Sequence, residues 1–145
     1  MEYRLILDYD VLDKYYKYYF KVHKKAKKKP IERPIHPSTN QWMRLERMAM
    51  NTLKQHWKDL IVWWINDLGY SNIHLEEFEI TFTTYMPTKR RVDPDNTAPK
   101  FLMDGFTEAG FIVDDDGCHL KALTLKTGYD KENPRTEIIV KTIEE

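Results

Sequence analysis

Apolar residues recur along the chain with two different periods, and these periods predict both helices and strands. Residues 11–28 and 38–68 carry apolar side chains at steps of three or four, the spacing of one helix face. Trp42, Trp57 and Trp64 of the second segment fall on this stripe, which is typical of a core and less so of a base-stacking platform. Residues 75–86 alternate between apolar and polar positions, as in a half-buried strand.

Turn and capping residues set the expected ends of these elements. Ser38 and Gln41 fit a capping box at the start of the long helix, and Gly69 is a natural residue to end it. A further helix is expected with Pro99 in its first turn and Gly110 at its end. Shorter strands are predicted at residues 3–8, 111–113, 120–127 and 136–143. This order indicates a single α+β domain, a mixed β-sheet packed with helices.

Length and composition narrow the class of protein. The 145 residues suit one domain, and 41% of them are hydrophobic, as in a soluble globular protein. The longest apolar run, residues 60–65, is too short to span a bilayer, so no membrane association is expected. No apolar leader is visible at the N-terminus, which favours a cytoplasmic location. The single cysteine, Cys118, excludes an internal disulfide framework.

Charge is distributed unevenly although the formal total is zero. The net charge is +6 over residues 1–92 and −6 over residues 93–145. Six lysines lie within residues 21–29, and a second basic cluster, residues 89–91, runs directly into an acidic motif at residues 93–96. Cations beside carboxylates suggest a polyanion held near a bound metal. The alternative is a solvated face followed by a surface turn.

The acidic motif has the chemistry of a hard-cation site. Pro94 favours an extended backbone at Asp93, which would place Asp93 and Asp95 on one face, where two carboxylates repel unless a cation lies between them. Asn96 either adds a neutral oxygen or caps the helix that follows. A third acidic cluster, residues 114–116, follows that helix, and we expect the strand–helix–strand passage to bring the two clusters together. Ligation by oxygen alone selects Mg²⁺ or Mn²⁺ rather than zinc.

One lysine lies close to these carboxylates along the chain. Lys100 falls about one turn after Asp95, where it could bind a phosphate oxygen or stabilise charge on a leaving group. The alternative is an ordinary exposed lysine that pairs with Asp104, its i+4 neighbour on the helix surface.

Together these segments resemble the RusA family of Holliday-junction resolvases. The resemblance consists of a basic stretch, an Asp-x-Asp-Asn motif, a lysine-bearing helix that ends in Ala-Gly-Phe, and a following Asp-Asp. The stretch 37–40, Pro-Ser-Thr-Asn, is also similar to a loop of that family. The resemblance implies a RusA-like endonuclease domain at residues 37–145. Residues 1–36 precede it as a strand and helix with a basic tail and a proline linker.

Members of this family are small, dimeric, Mg²⁺-dependent endonucleases that nick four-way DNA junctions symmetrically in recombination and repair, and many are encoded by phages. The resemblance implies metal-binding roles for Asp93, Asp95 and Asp115, and a catalytic role for these three residues and Lys100. It leaves open whether Asp114 or Asp116 replaces Asp115. The residues implied in contacts with DNA phosphates are Lys89, Arg90 and Arg91.

The expected partners are therefore branched DNA and a second copy of the chain, in the host-cell cytoplasm if the protein is phage-encoded. Two alternatives stay open at this point. One is a catalytically inactive junction-binding protein, and the other is a Mg²⁺-dependent nuclease that acts on flaps, forks or RNA. The dimer interface, the sequence preference at the cut and the role of residues 1–36 are not determined by the sequence.

Overall fold

Four strands form one mixed sheet in the computed structural model, which describes residues 1–143. The strands are β1 (Glu2–Leu7), β2 (Phe78–Met86), β3 (Leu120–Tyr129) and β4 (Arg135–Thr142). Their order across the sheet is β1-β4-β2-β3. β4 is antiparallel to both β1 and β2, whereas β2 and β3 are parallel. Together with the helices, this sheet confirms the predicted α+β fold.

The helices are α1 (Tyr9–Val22), α2 (Thr39–Met43), α3 (Arg47–Leu68) and α4 (Lys100–Ala109), with a 3₁₀ turn at Pro94–Thr97. The long helix predicted from residue 38 is therefore two helices. Ser38 caps the first of them, because its Oγ accepts a hydrogen bond from the Gln41 N–H at 3.2 Å. Neither Gly nor Pro marks the break before α3. The break accompanies contacts between α2 and the 3₁₀ turn, which are tertiary and leave no local sequence signal.

The core lies between the sheet and the helices α3 and α4. The buried face of β2 consists of Phe78, Ile80 and Phe82, as the alternation predicts. Trp57 and Trp64 on α3 are each 3% exposed, which confirms that the tryptophan stripe belongs mainly to the core. The two helices approach closely where α4 carries a glycine. A Cβ atom on Gly105 would lie 2.5 Å from the Cβ of Ile61.

Residues 1–36 belong to this same core. β1 pairs with β4 along its whole length, from Glu2 opposite Lys141 to Leu7 opposite Thr136. The Tyr16 hydroxyl of α1 donates a hydrogen bond to the backbone carbonyl of Ile31, in the linker that follows, and both groups are buried. The N-terminal segment thus supplies an edge strand and a packed helix to the domain.

Two predicted elements are shorter in the structure. α1 ends at Val22 instead of continuing to residue 28, because successive lysines place like charges on one helix face and disfavour further turns. The strand predicted at residues 111–113 is only an isolated parallel bridge between Leu75 and Ile112. The helix ends are as predicted: Gly69 and Gly110 close α3 and α4 with φ angles of 79° and 83°, in the left-handed region that glycine adopts without strain.

Among residues 1–143, none of the helices combines the length and the apolar character that crossing a membrane requires.

Candidate functional site

The residues predicted to form the site all lie on the crossover between the parallel strands β2 and β3. The chain leaves β2 at Met86, passes through a basic loop and the 3₁₀ turn, and enters α4. After α4 it passes the acidic cluster, residues 114–116, and enters β3 at Leu120. Because β2 and β3 are parallel, this crossover runs from one end of the sheet to the other. Its helix of ten residues covers about 15 Å of that path.

The basic loop presents three exposed cations, those of Lys89, Arg90 and Arg91. The Lys89 amino group lies 5.3 Å from the centre of the Tyr129 ring at the end of β3. Arg91 Nε lies 3.7 Å from Asp93 Oδ1, but the two side chains are 92% and 67% exposed. An ion pair so exposed contributes little to stability and exchanges readily with other partners. All three cations therefore remain accessible to a polyanion.

Asp93 and Asp95 are both exposed where the loop meets the 3₁₀ turn. Asp93 has the extended backbone that Pro94 predicts, with φ −79° and ψ 129°. The next four residues form the 3₁₀ turn instead of continuing the extended segment. The strand argument that placed the two carboxylates on one face is therefore wrong, because side chains of a 3₁₀ turn do not alternate with a period of two.

Asn96 connects the 3₁₀ turn to α2. Its Oδ1 accepts a hydrogen bond from the backbone N–H of Asn40 at 2.9 Å. It therefore does not cap α4, whose start has no side-chain cap. Residues 37–40 and 93–96, two segments that carry the likeness to RusA resolvases, are joined by this bond.

Lys100 is the first residue of α4 and is exposed. Its amino group lies 5.8 Å from the centre of the Trp42 ring, and that ring packs against Phe101. Among residues 1–143, no ion pair joins Lys100 to Asp104, so the pairing considered from the sequence is not formed. Lys100 thus lies at the same end of the crossover as the 3₁₀ turn, with its charge over an aromatic ring.

The acidic cluster at the other end of α4 has its own electrostatics. The pKa of Asp115 is raised, first by partial loss of solvation and then by a hydrogen bond with the Asp114 side chain. The negative charges of Asp104 and Asp114 raise it further. Asp114 Oδ1 also accepts a hydrogen bond from the Asp115 N–H at 2.7 Å. Asp104 and Asp114 therefore each lie close enough to Asp115 to repel its negative charge, and the sequence did not indicate that Asp104 belongs to this cluster.

Asp93 and Asp95 lie at a different point along the crossover from Asp115. They follow the end of β2, whereas Asp115 precedes the start of β3, and these are opposite ends of two parallel strands. That the three carboxylates share one metal ion therefore stays a prediction. Within residues 1–143, the structure shows no three His, Cys, Asp or Glu side chains grouped so that they could hold a metal ion.

The donor chemistry at the 3₁₀ turn nevertheless fits Mg²⁺. This ion is commonly bound by one or two carboxylates together with substrate phosphates and water, rather than by an all-protein cage. Asp93 and Asp95 supply two exposed carboxylates, and the neighbouring cations can attract the phosphate. The set contains only oxygen donors, which matches a hard cation.

A cavity of about 290 Å³ lies beside this segment, and it was not predicted from the sequence. Its walls come from the linker after α1, the end of β2 and the loop that carries the basic cluster. His36 lines it and is 4% exposed, with Nε2 3.4 Å from Thr84 Oγ1 and with no hydrogen bond to Nδ1 from residues 1–143. Burial lowers the pKa of His36 to about 4, and the Pro37 backbone opposes this effect. The ring is therefore neutral at physiological pH.

Comparison with models of known protein families and with curated proteins gives no match. The likeness to RusA resolvases consequently rests on the motif residues alone.

Proposed function

We propose that this protein is a Mg²⁺-dependent, structure-selective endodeoxyribonuclease that resolves four-way DNA junctions by paired, symmetrical nicks. The observation that carries this proposal is the joint location of Lys89–Arg91, Asp93, Asp95 and Lys100 at one end of the β2–β3 crossover. Hydrolysis of a phosphodiester requires cations that hold the phosphate and carboxylates that hold a metal. Both kinds of side chain are exposed on this short stretch of chain.

The basic loop would bind the DNA backbone. Its three cations are exposed, and the only ion pair that they form within residues 1–143, between Arg91 and Asp93, is itself open to solvent. Contacts to phosphates position a substrate without specifying its sequence. This is the kind of recognition that a structure-selective enzyme needs.

Asp93 and Asp95 would hold Mg²⁺ through their carboxylate oxygens, with Mn²⁺ as a substitute. When bound, the ion acts as a Lewis acid that lowers the pKa of a water molecule and offsets charge in the transition state. Asp115 is a proposed third ligand on the basis of the resemblance, and its raised pKa fits a group that gains from a nearby cation. Lys100 would assist at a non-bridging or leaving oxygen, because its charge lies over the Trp42 ring and, within residues 1–143, no ion pair joins it to a carboxylate.

Paired nicks related by the two-fold symmetry of a junction require two active sites. A C₂ dimer of this chain supplies them most simply. A second copy of the chain is thus part of the proposal.

A cleavage assay tests this function directly. A labelled four-way junction is incubated beside a matched duplex and a matched flap, each with Mg²⁺ or with EDTA. Nicks that need Mg²⁺ and occur only on the junction are the expected result. Comparable rates on the flap would favour a nuclease of broader substrate range, and tight binding without cleavage would favour a junction-binding protein. If the protein neither binds nor cleaves the junction, the proposal is overturned.

A matched pair of variants tests whether junction affinity depends on the cations of the basic loop or only on the number of positive charges in the protein. Replacing residues 89–91 by alanine should weaken junction binding strongly and reduce its salt dependence. Replacing three lysines of the exposed cluster at residues 21–29 removes the same charge elsewhere. An equal loss of affinity in both variants would contradict a specific role for the loop.

A further inference from the structure

The cavity beside the candidate site shares its walls with that site. Arg90, Val92 and Asn96 line it, and they flank the two carboxylates of the 3₁₀ turn. A strand whose phosphate lies on the basic loop would therefore have its neighbouring base beside the cavity mouth. The volume, about 290 Å³, is at the small end of ligand pockets, which begin at roughly 300 Å³. This size suits one ring system and excludes a duplex or a folded peptide segment.

The walls combine three kinds of surface that a nucleotide contacts. Ile35, Met86 and Val92 are apolar and can face the flat sides of a base. Arg33 and Arg90 are exposed arginines that suit a phosphate. The polar groups between them are the side chains of His36, Ser38, Gln41, Thr84 and Asn96.

His36 gives the cavity an unused hydrogen-bonding group. Its ring is almost completely buried, Nε2 lies 3.4 Å from Thr84 Oγ1, and Nδ1 makes no hydrogen bond within residues 1–143. Buried polar atoms nearly always have a partner, so an exception calls for an explanation. A neutral imidazole has one donor and one acceptor, which matches the mixed edge of a nucleobase.

We infer that this cavity receives one unpaired nucleobase of the DNA strand whose phosphate is held by the basic loop. The inference rests on the proposed function, because it takes the substrate to be branched DNA. Bases beside a branch point are the easiest to unpair, since stacking and pairing are already interrupted there. The cavity would then determine which position relative to the branch is placed at the carboxylates.

Abasic substitution in a junction tests this inference without cleavage. Junction affinity is measured in EDTA for a series in which each nucleoside next to the branch is replaced in turn by an abasic site. One position should lose about tenfold in affinity, the effect of one base contact, while the others change little. In His36→Phe, which keeps an aromatic ring but loses the ring nitrogens, the ratio of intact to abasic affinity should fall towards one.

Arg33→Ala provides a second variant at an exposed position, and it should also reduce that ratio. Arg47→Ala removes an exposed arginine that does not line the cavity, and it should leave the ratio as in the wild type. The inference is overturned if no position next to the branch matters, or if the ratio is the same in wild type, His36→Phe and Arg33→Ala.

The proposed function and the inference about the cavity can be rejected independently of each other. A protein that binds the junction but does not cut it still undergoes the affinity test. If it does not bind the junction at all, the four deoxynucleoside 5′-monophosphates are added to protein labelled with ¹⁵N in histidine. A saturable shift of the His36 ring signals would retain the cavity as a nucleotide site, and the absence of any shift would reject it.

Discussion

Acidification should destabilise this protein through one buried side chain, that of His36. Its pKa is lowered from 6.5 to about 4, chiefly by burial. In the unfolded chain the ring titrates near its ordinary value, so between these two pH values the unfolded state binds the proton more readily. The stability that the neutral ring contributes is therefore complete above about pH 6.5 and is lost as the pH falls towards 4. Desolvation of the buried ring outweighs the backbone of Pro37, which favours the charged form.

The size of this effect follows from the two pKa values. Proton linkage gives a loss of about 2 kcal/mol of unfolding free energy between pH 7 and pH 5, and about 3 kcal/mol by pH 4. Asp115 acts in the opposite sense, because a raised carboxyl pKa makes the folded state bind its proton more readily as the pH falls. A His36→Gln variant removes the imidazole and leaves every carboxylate in place.

Urea unfolding of the wild type and of His36→Gln, each at pH 7 and at pH 5, measures the contribution. The free energies of unfolding of the variant and the wild type are first compared at pH 7. At pH 5 the difference between them should have shifted by about 2 kcal/mol in favour of the variant. An identical pH dependence in the two proteins would refute the reasoning, since it would mean that the ring titrates normally when the protein is folded.

Five further substitutions test the site and the fold. Asp95→Asn should abolish Mg²⁺-dependent cleavage in a gel assay while junction affinity stays unchanged or rises, because a negative charge that faces phosphate is removed. Lys100→Ala should lower turnover more than junction affinity, and a pure loss of affinity would make it a phosphate contact only. Asp115→Asn should lower cleavage at least tenfold and raise the melting temperature slightly, since it relieves repulsion among neighbouring carboxylates; a lower melting temperature would contradict this. Gly110→Ala should destabilise well beyond the roughly 1 kcal/mol of left-handed strain, because its Cβ would lie 2.2 Å from a backbone carbonyl oxygen. Gly69→Ala, at a similar φ with open space around it, should cost only that strain, and equal losses in urea unfolding would contradict the difference.

The features that the sequence predicted well are those with a local physical cause. Alternation over residues 75–86 predicted the buried face of β2, since side chains of a strand point to opposite sides in turn. Gly69 and Gly110 predicted the ends of α3 and α4, because few other residues adopt a left-handed backbone without strain. The core role of Trp57 and Trp64 followed from helical spacing.

The features that it did not predict depend on contacts between distant segments. The break between α2 and α3 accompanies the bond from Asn40 to Asn96, which are 56 residues apart. The parallel pairing of β2 with β3 places the end of β2 and the start of β3 at opposite ends of the sheet, and a linear sequence does not contain this pairing. The cavity forms where the linker at His36 meets Thr84, 48 residues away. The candidate site was predictable as a set of residue types, but its spatial arrangement was not.

The position of nicks on a four-way junction tests the central claim most directly. Each of the four strands is labelled in turn, the junction is incubated with the protein and Mg²⁺, and the product ends are mapped. Symmetry-related nicks in two opposing strands, absent in EDTA, are the predicted result. Nicks in a single strand or at unrelated positions, or products that form equally in EDTA, would contradict a Mg²⁺-dependent junction resolvase.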